Sequence, residues 1–168
     1  MKPLLYVDGY NIIGAWQEAE NNAWPLDECR DRLTRLLEDY AGYTGQEVWL
    51  VFDGHKAAHP LRSVESKSTL TLVYTKHGET ADQFIERMCQ LLPKYREARV
   101  ATSDGLEQTL ILGRGATRLS ARELWRELRL IQTQGRARHR GTTREISSLR
   151  DALPMEQQAQ LEKLRRQK

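Results

Sequence analysis

The sequence predicts an α/β fold in three layers, with a central, mostly parallel sheet flanked by helices. Four short runs rich in β-branched and aromatic residues, Leu4 to Val7, Val48 to Phe52, Leu70 to Tyr74 and Ala98 to Thr102, have the length and composition of buried strands. Segments with apolar residues at helical spacing separate the first run from the second and the third from the fourth. Strands alternating with helices imply parallel pairing through right-handed crossovers, which place helices on both faces of the sheet.

The individual elements follow in chain order. After the first strand, Leu26, Cys29, Leu33, Leu36, Leu37 and Tyr40 recur at helical spacing, and Gly42 and Gly45 mark the end of that helix. Residues 54–69 carry no strong apolar period and read as a loop. Thr80 and Gln83 form a capping box ahead of Phe84, Ile85, Met88, Leu91 and Leu92, with Pro93 just beyond. Ser120 and Glu123 form a second box, with Leu119 and Leu124 placed as a hydrophobic staple. Residues 132–144 are polar, glycine-punctuated and basic and read as an exposed loop; a helix is expected after Pro154.

With 168 residues, 39% of them hydrophobic and 29% charged, the chain suits one soluble domain with a sizeable core. The expected organisation is a domain over residues 1–130, with residues 131–168 as a basic loop and helix packed on it or extending from it. Two cysteines, Cys29 and Cys89, are too few for a disulfide framework and sit on apolar helical stripes, so buried free thiols in a reducing compartment are expected. Lys2 precedes only a short apolar run, and no segment reaches the roughly 18 apolar residues of a membrane span, which points to a cytoplasmic protein without a membrane partner. The net charge of +3 hides an asymmetry. Residues 113–168 hold 14 Lys and Arg against 6 Asp and Glu, whereas residues 1–112 hold 12 against 17. Cations and a polyanion can therefore be held in different places.

The acids fall where the strands end. Asp8 follows the first strand, Asp53 the second, and Asp104 comes two residues after the fourth. In a parallel sheet all carboxyl ends lie along one edge, where open α/β sheets bind ligands, so these side chains should converge. Asp82, in the first turn of the helix after the third strand, belongs to the same edge, with Glu79 just before it. Carboxylates crowded into one crevice repel unless a cation neutralises them, and hard oxygen ligands favour Mg²⁺ or Mn²⁺. Such ions lower the pKa of an attacking water and stabilise a leaving oxygen, which suits phosphodiester hydrolysis. Asn11, one turn beyond Asp8, could hold a water or a substrate phosphate. Taken singly, each aspartate is better explained by capping or a solvated turn; four at one edge favour the metal.

Other constellations carry less. His55 and His59 are bracketed by Gly54 and Pro60, against a zinc site, and His77 and His139 read as exposed polar residues. A P-loop is absent, Gly113 to Gly115 lacks the dinucleotide spacing, Ser103 has no histidine placed as its base, and Tyr10 stands where an aspartyl phosphatase needs its second acid. Arg129, Arg136, Arg138, Arg140 and Arg144 occupy an acid-free stretch suited to RNA or DNA phosphates, a reading favoured over a solvated loop because the acidic half would repel a polyanion without help. Tyr10, Trp16 and Trp24 could stack bases or equally pack the core.

Four strings together resemble the YacP-type branch of the NYN domain family, relatives of the PIN nucleases: Leu4-Leu-Tyr-Val-Asp-Gly-Tyr-Asn-Ile-Ile-Gly14, Val51-Phe-Asp-Gly54, Glu79-Thr-Ala-Asp-Gln-Phe-Ile-Glu86 and Thr102-Ser-Asp-Gly-Leu-Glu-Gln108. The resemblance covers most of residues 3–130. It implies a PIN-like sheet, a metal-dependent endoribonuclease and a bacterial RNA-processing role. It also implies Asp8, Asp82 and Asp104 as metal-binding acids, with Asp53 and Asn11 in or beside the metal's ligand shell. The expected activity is Mg²⁺- or Mn²⁺-dependent cleavage of RNA, on mRNA or ribosome-associated RNA, with RNA and the ribosome as partners. A non-catalytic RNA-binding or ribosome-associated module with the same fold is the alternative, and a small-molecule phosphomonoesterase a third that leaves the basic half without a task.

Overall fold

The computed structural model describes residues 2–54, 63–67, 69–93, 95–103 and 116–135. The chain divides into two compact units, Met1–Arg129 and Leu130–Lys168, and the fold set out below is that of the first, with residues 130–135 continuing its last helix.

Six strands form one sheet. In chain order these are β1 (Leu4–Asp8), β2 (Glu47–Phe52), β3 (Ser63–Ser66), β4 (Leu70–Tyr74), β5 (Ala98–Ala101) and β6 (Ala116–Leu119). Their order across the sheet is β3-β4-β2-β1-β5-β6. All neighbours are parallel except β3 and β4, which are antiparallel. The helices are α1 (Gly9–Gly14), α2 (Gln17–Asn21), α3 (Leu26–Thr44), α4 (Ala81–Leu91) and α5, residues 121–135. The expected α/β class and mostly parallel sheet therefore hold.

Two edge strands escape a reading based on apolar runs. β3 lies within residues 54–69, expected as loop; its sequence Ser-Val-Glu-Ser is polar because an edge strand pairs on one side and stays largely exposed. β6 is recruited by its parallel register with β5 rather than by an apolar run, since Arg118 interrupts it. Helix α5 continues through residue 135, so residues 132–135 are helix and not loop. Residues 136–144 and the helix expected after Pro154 lie outside the described residues.

Helix ends follow the chemistry of their caps. Gly45 closes α3 with φ of 70°, a left-handed conformation that costs a glycine nothing. At α4 the Thr80 hydroxyl accepts from the Gln83 amide (3.1 Å) and the Gln83 side chain accepts from the Thr80 amide (3.2 Å). Ser120 and Glu123 make the same reciprocal pair at α5. Inside α3 the buried stripe is Cys29, Leu33, Leu37, Tyr40 and Ala41, while Leu26, at its first position, is exposed. In α4 it is Phe84, Ile85 and Cys89, and Leu91 points to solvent. Both cysteines are free and buried.

The pleat assigns alternate residues to opposite faces. Leu4, Tyr6, Val51, Val73, Ala98 and Val100 join Phe84, Ile85 and Cys89 of α4 in one core. Leu5, Val7, Leu50 and Phe52 point the other way, toward α1 and α3. The second face leaves no room where α1 begins: a Cβ on Gly9 would sit 2.2 Å from the Phe52 ring. Glycine is required there for close approach, not for an unusual φ. Gly9→Ala should therefore lower unfolding free energy by about 1–3 kcal/mol, the usual cost of overpacking. Adding Phe52→Leu should recover part of that loss; chemical denaturation showing the two changes to be merely additive would refute the clash.

Candidate functional site

The acids gather at the carboxyl edge of the central strands. Asp8 ends β1 and is 7% exposed. Its backbone turns out of the strand and its carboxylate Oδ1 caps α1, accepting from the Asn11 amide at 3.1 Å. By the alternation of the pleat, Asp8 and Asp53 follow the residues that face α4. Asp82 lies in the first turn of α4, close enough to Asp8 for the two side chains to interact. Carboxyl groups brought this close favour a proton or a cation beside them. Burial, then the hydrogen bond with Asp82 and the negative charges of Asp82 and Asp53, push the Asp8 carboxyl up to about 7, against the lowering effect of the Asn11 amide. Asp82 Oδ1 is buried without a hydrogen-bond partner.

Asp53 also serves the fold. Its Oδ1 accepts from the Ala81 amide at 2.6 Å, so it pins the N-terminus of α4 to the exit of β2. Thr75, fully buried, reinforces this join: its hydroxyl donates to the Glu79 carbonyl (2.6 Å) and accepts from the Gly54 amide (3.0 Å). The sequence reading missed Thr75; the available cue was a hydroxyl residue immediately after an apolar strand. The Glu79 carboxylate, 5% exposed, accepts from Arg87 at 2.5 Å, a bond that helps hold the turn before α4. Asn11, expected to hold a water or phosphate, accepts the Ser103 amide with its side-chain oxygen and so tethers the chain leaving β5.

The convergence is thus a pair with supports. Asp8 and Asp82 touch, and Asp53 is an electrostatic neighbour engaged in capping. Asp104, together with Arg136, Arg138, Arg140, Arg144, His55, His59 and His139, lies outside the described residues. Among the described residues no three His, Cys, Asp or Glu side chains are grouped to hold an ion. Arg129 is exposed on α5. Trp16 packs in the core, its ring stacked 4.4 Å from that of Trp125, whose indole N–H donates to the Ile12 carbonyl. Trp24 meets Trp16 edge-on and carries Arg32 over its ring. Core packing therefore accounts for Trp16, while Trp24 is partly buried between Trp16 and Arg32. None of the described helices is long and apolar enough to cross a membrane.

Residues 5–166 match the YacP-like NYN domain, nearly the whole chain. The chain belongs to the YacP-like NYN domain family. It is 41% identical to the Bacillus subtilis (strain 168) protein described as "Uncharacterized protein YacP", over 97% of this chain and 96% of that one. The crystal structure of Rae1 (YacP) from Bacillus subtilis is similar with a TM-score of 0.70 at 38% identity, covering 99% of this chain and 95% of that one. A point mutant of the same Bacillus protein gives 0.73 at 36% identity, with 96% and 99% coverage. This likeness extends beyond the acidic edge to the full NYN architecture.

The raised Asp8 pKa has a direct consequence for stability. An unfolded aspartate ionises near 3.8 and the folded Asp8 near 7, so between these values the folded state holds the extra proton. Stability from this group is therefore present at low pH, falls as pH rises from about 4 to about 7, and is flat above. In divalent-free buffer, the stability of Asp8→Asn relative to wild type should rise between pH 5 and pH 8 by on the order of 2 kcal/mol. Parallel urea-unfolding profiles for the two proteins would refute the assignment.

Proposed function

We propose that the chain is a Mg²⁺- or Mn²⁺-dependent endoribonuclease that hydrolyses RNA phosphodiester bonds. The observation that carries this reading is the contact of Asp8 with Asp82 at the carboxyl edge of the sheet. At neutral pH the pair either retains a proton or takes a cation. The unpartnered Asp82 Oδ1 is the acceptor that a hard cation would satisfy. Asp8 and Asp82 would hold the ion, with Asp104 added from the family resemblance as a third acid. When bound, such an ion lowers the pKa of an attacking water and offsets charge on the phosphodiester.

The chain's other residues supply geometry. Asp53 and Thr75 keep α4 anchored, so that Asp82 is held near Asp8. Asn11 holds the backbone amide of Ser103, one residue before Asp104, against the start of α1. Arg129, Arg136, Arg138, Arg140 and Arg144 form a sequence stretch without acids that is suited to gripping a polyanion while the acids stay with their cation. Membership of the NYN family, within the PIN-like nucleases, supports RNA as the substrate class.

The decisive test is cleavage of single-stranded RNA in Mn²⁺ by stringently purified wild type, Asp8→Asn and Asp82→Asn. Each substitution should slow cleavage about a hundredfold or more, equivalent to at least ~2.7 kcal/mol of lost transition-state stabilisation. Equal cutting by all three, or wild-type cutting that is indifferent to chelator, would refute the proposal.

A further inference from the structure

The second face of the sheet presents a different chemistry at the same edge. Tyr10, two residues after Asp8, packs its ring 4.9 Å from that of Phe52, and Phe52 stacks 5.6 Å from Tyr74 at the end of β4. These three aromatics lie at the carboxyl ends of β1, β2 and β4, on the side where α1 and α3 pack. Arg30 of α3 donates from Nη1 to the Tyr10 hydroxyl at 3.1 Å. Tyr74 is a further electrostatic neighbour of Arg30.

Arg30, on α3, is held differently from Arg96 and Arg99, two other partly buried arginines. Arg96 and Arg99 each meet a glutamate, Glu47 and Glu127. Among the described residues Arg30 forms no ion pair and spends one of its five N–H donors on a phenol. Asp27 attracts it from a distance, and Asp31 acts on Tyr74, but both acids are exposed on α3 and screened by solvent. A guanidinium anchored by one hydrogen bond to a phenol, with donors to spare, is suited to bidentate capture of an oxyanion.

We propose that Arg30, oriented by Tyr10, is a phosphate-binding residue for the nucleic-acid strand, gripping a backbone phosphate away from the bond that is cut. This rests on RNA being the substrate class, as proposed above, but not on cleavage. A strand crossing the sheet edge meets the acid pair on the α4 side and Arg30 on the α3 side. The acids select the cation and the reacting phosphate; Arg30 sets the path of the chain.

The test measures binding of a short labelled single-stranded RNA in EDTA across a salt series, for wild type, Arg30→Gln, Arg30→Lys and Tyr10→Phe, with thermal melts as controls. Losing one charge-assisted contact should weaken Arg30→Gln about tenfold at low salt. Its slope of log affinity against log salt should also become shallower by about 0.7, the value for one phosphate on a single strand. Arg30→Lys keeps the charge and should retain the slope while losing affinity; it carries the test if Arg30→Gln does not fold. Tyr10→Phe should lose part of the affinity, since the guanidinium is then unoriented. Native melting with unchanged affinity and slope in the Arg30 variants overturns the proposal, as does lowered melting with unchanged binding, which would make Arg30 only a tether. Wild type that binds through Arg30 yet does not cut in Mn²⁺ refutes the nuclease and leaves this site standing. A wild type that cuts, with Arg30→Gln binding equally well, refutes this site alone.

Discussion

A buried carboxyl group with a second carboxyl beside it is stabilised by a proton or a cation, and Asp8, with the partly buried Asp82 as its neighbour, is held in that relation. Much of the local architecture serves to enforce it. Asp8 is the last residue of a strand buried along its whole length and simultaneously the cap of the next helix, so it has no freedom to turn toward water. Asp82 is fixed by the first turn of α4, which a capping box, the Asp53 bond to Ala81 and the Thr75 bridge all restrain. A site that concentrates negative charge in a desolvated crevice opposes folding, and the hydrogen bonds around it offset that opposition.

The sheet divides the work between its faces. On the α4 side the core residues lead directly to Asp8 and Asp53, so the helix that completes the hydrophobic cluster also delivers Asp82. On the other side Gly9 lets the Phe52 ring lie against the start of α1, and Tyr10 extends the aromatic contact. The same strand ends therefore carry acids on one face and aromatics on the other, because successive side chains of a strand alternate. Farther from the edge, Tyr40, Arg99 and Glu127 form a hydrogen-bonded group joining α3, β5 and α5. This ties the layers together without involving the acids.

Legibility in the sequence followed physical locality. The central strands β1, β2, β4 and β5 are largely buried, and such strands are predominantly apolar, so they could be read directly. The capping boxes at Thr80 and Ser120 are patterns confined to four residues, and they too were readable. β3 and β6 were not, because their hydrogen-bond partners, rather than their own composition, make them strands. Trp16 shows the same limit: an aromatic near the site is compatible with stacking a base until Trp125, more than a hundred residues away, occupies its face.

The sequence by itself determined the α/β class, the helix boundaries set by local caps, and the alignment of acids with strand ends, since parallel pairing places those ends along one edge. Which of those acids touch was a tertiary decision. Asp82 rather than Asp53 meets Asp8 because Asp53 is drawn to the Ala81 amide, a contact spanning 28 residues that depends on how α4 seats on the sheet. Asn11 reaching Ser103 across 92 residues and Arg30 reaching Tyr10 across 20 belong to the same category. Caps and strands are set by neighbours in the chain, but a buried polar group is satisfied by whatever packing brings within hydrogen-bond reach, and that distance is a property of the folded layers alone.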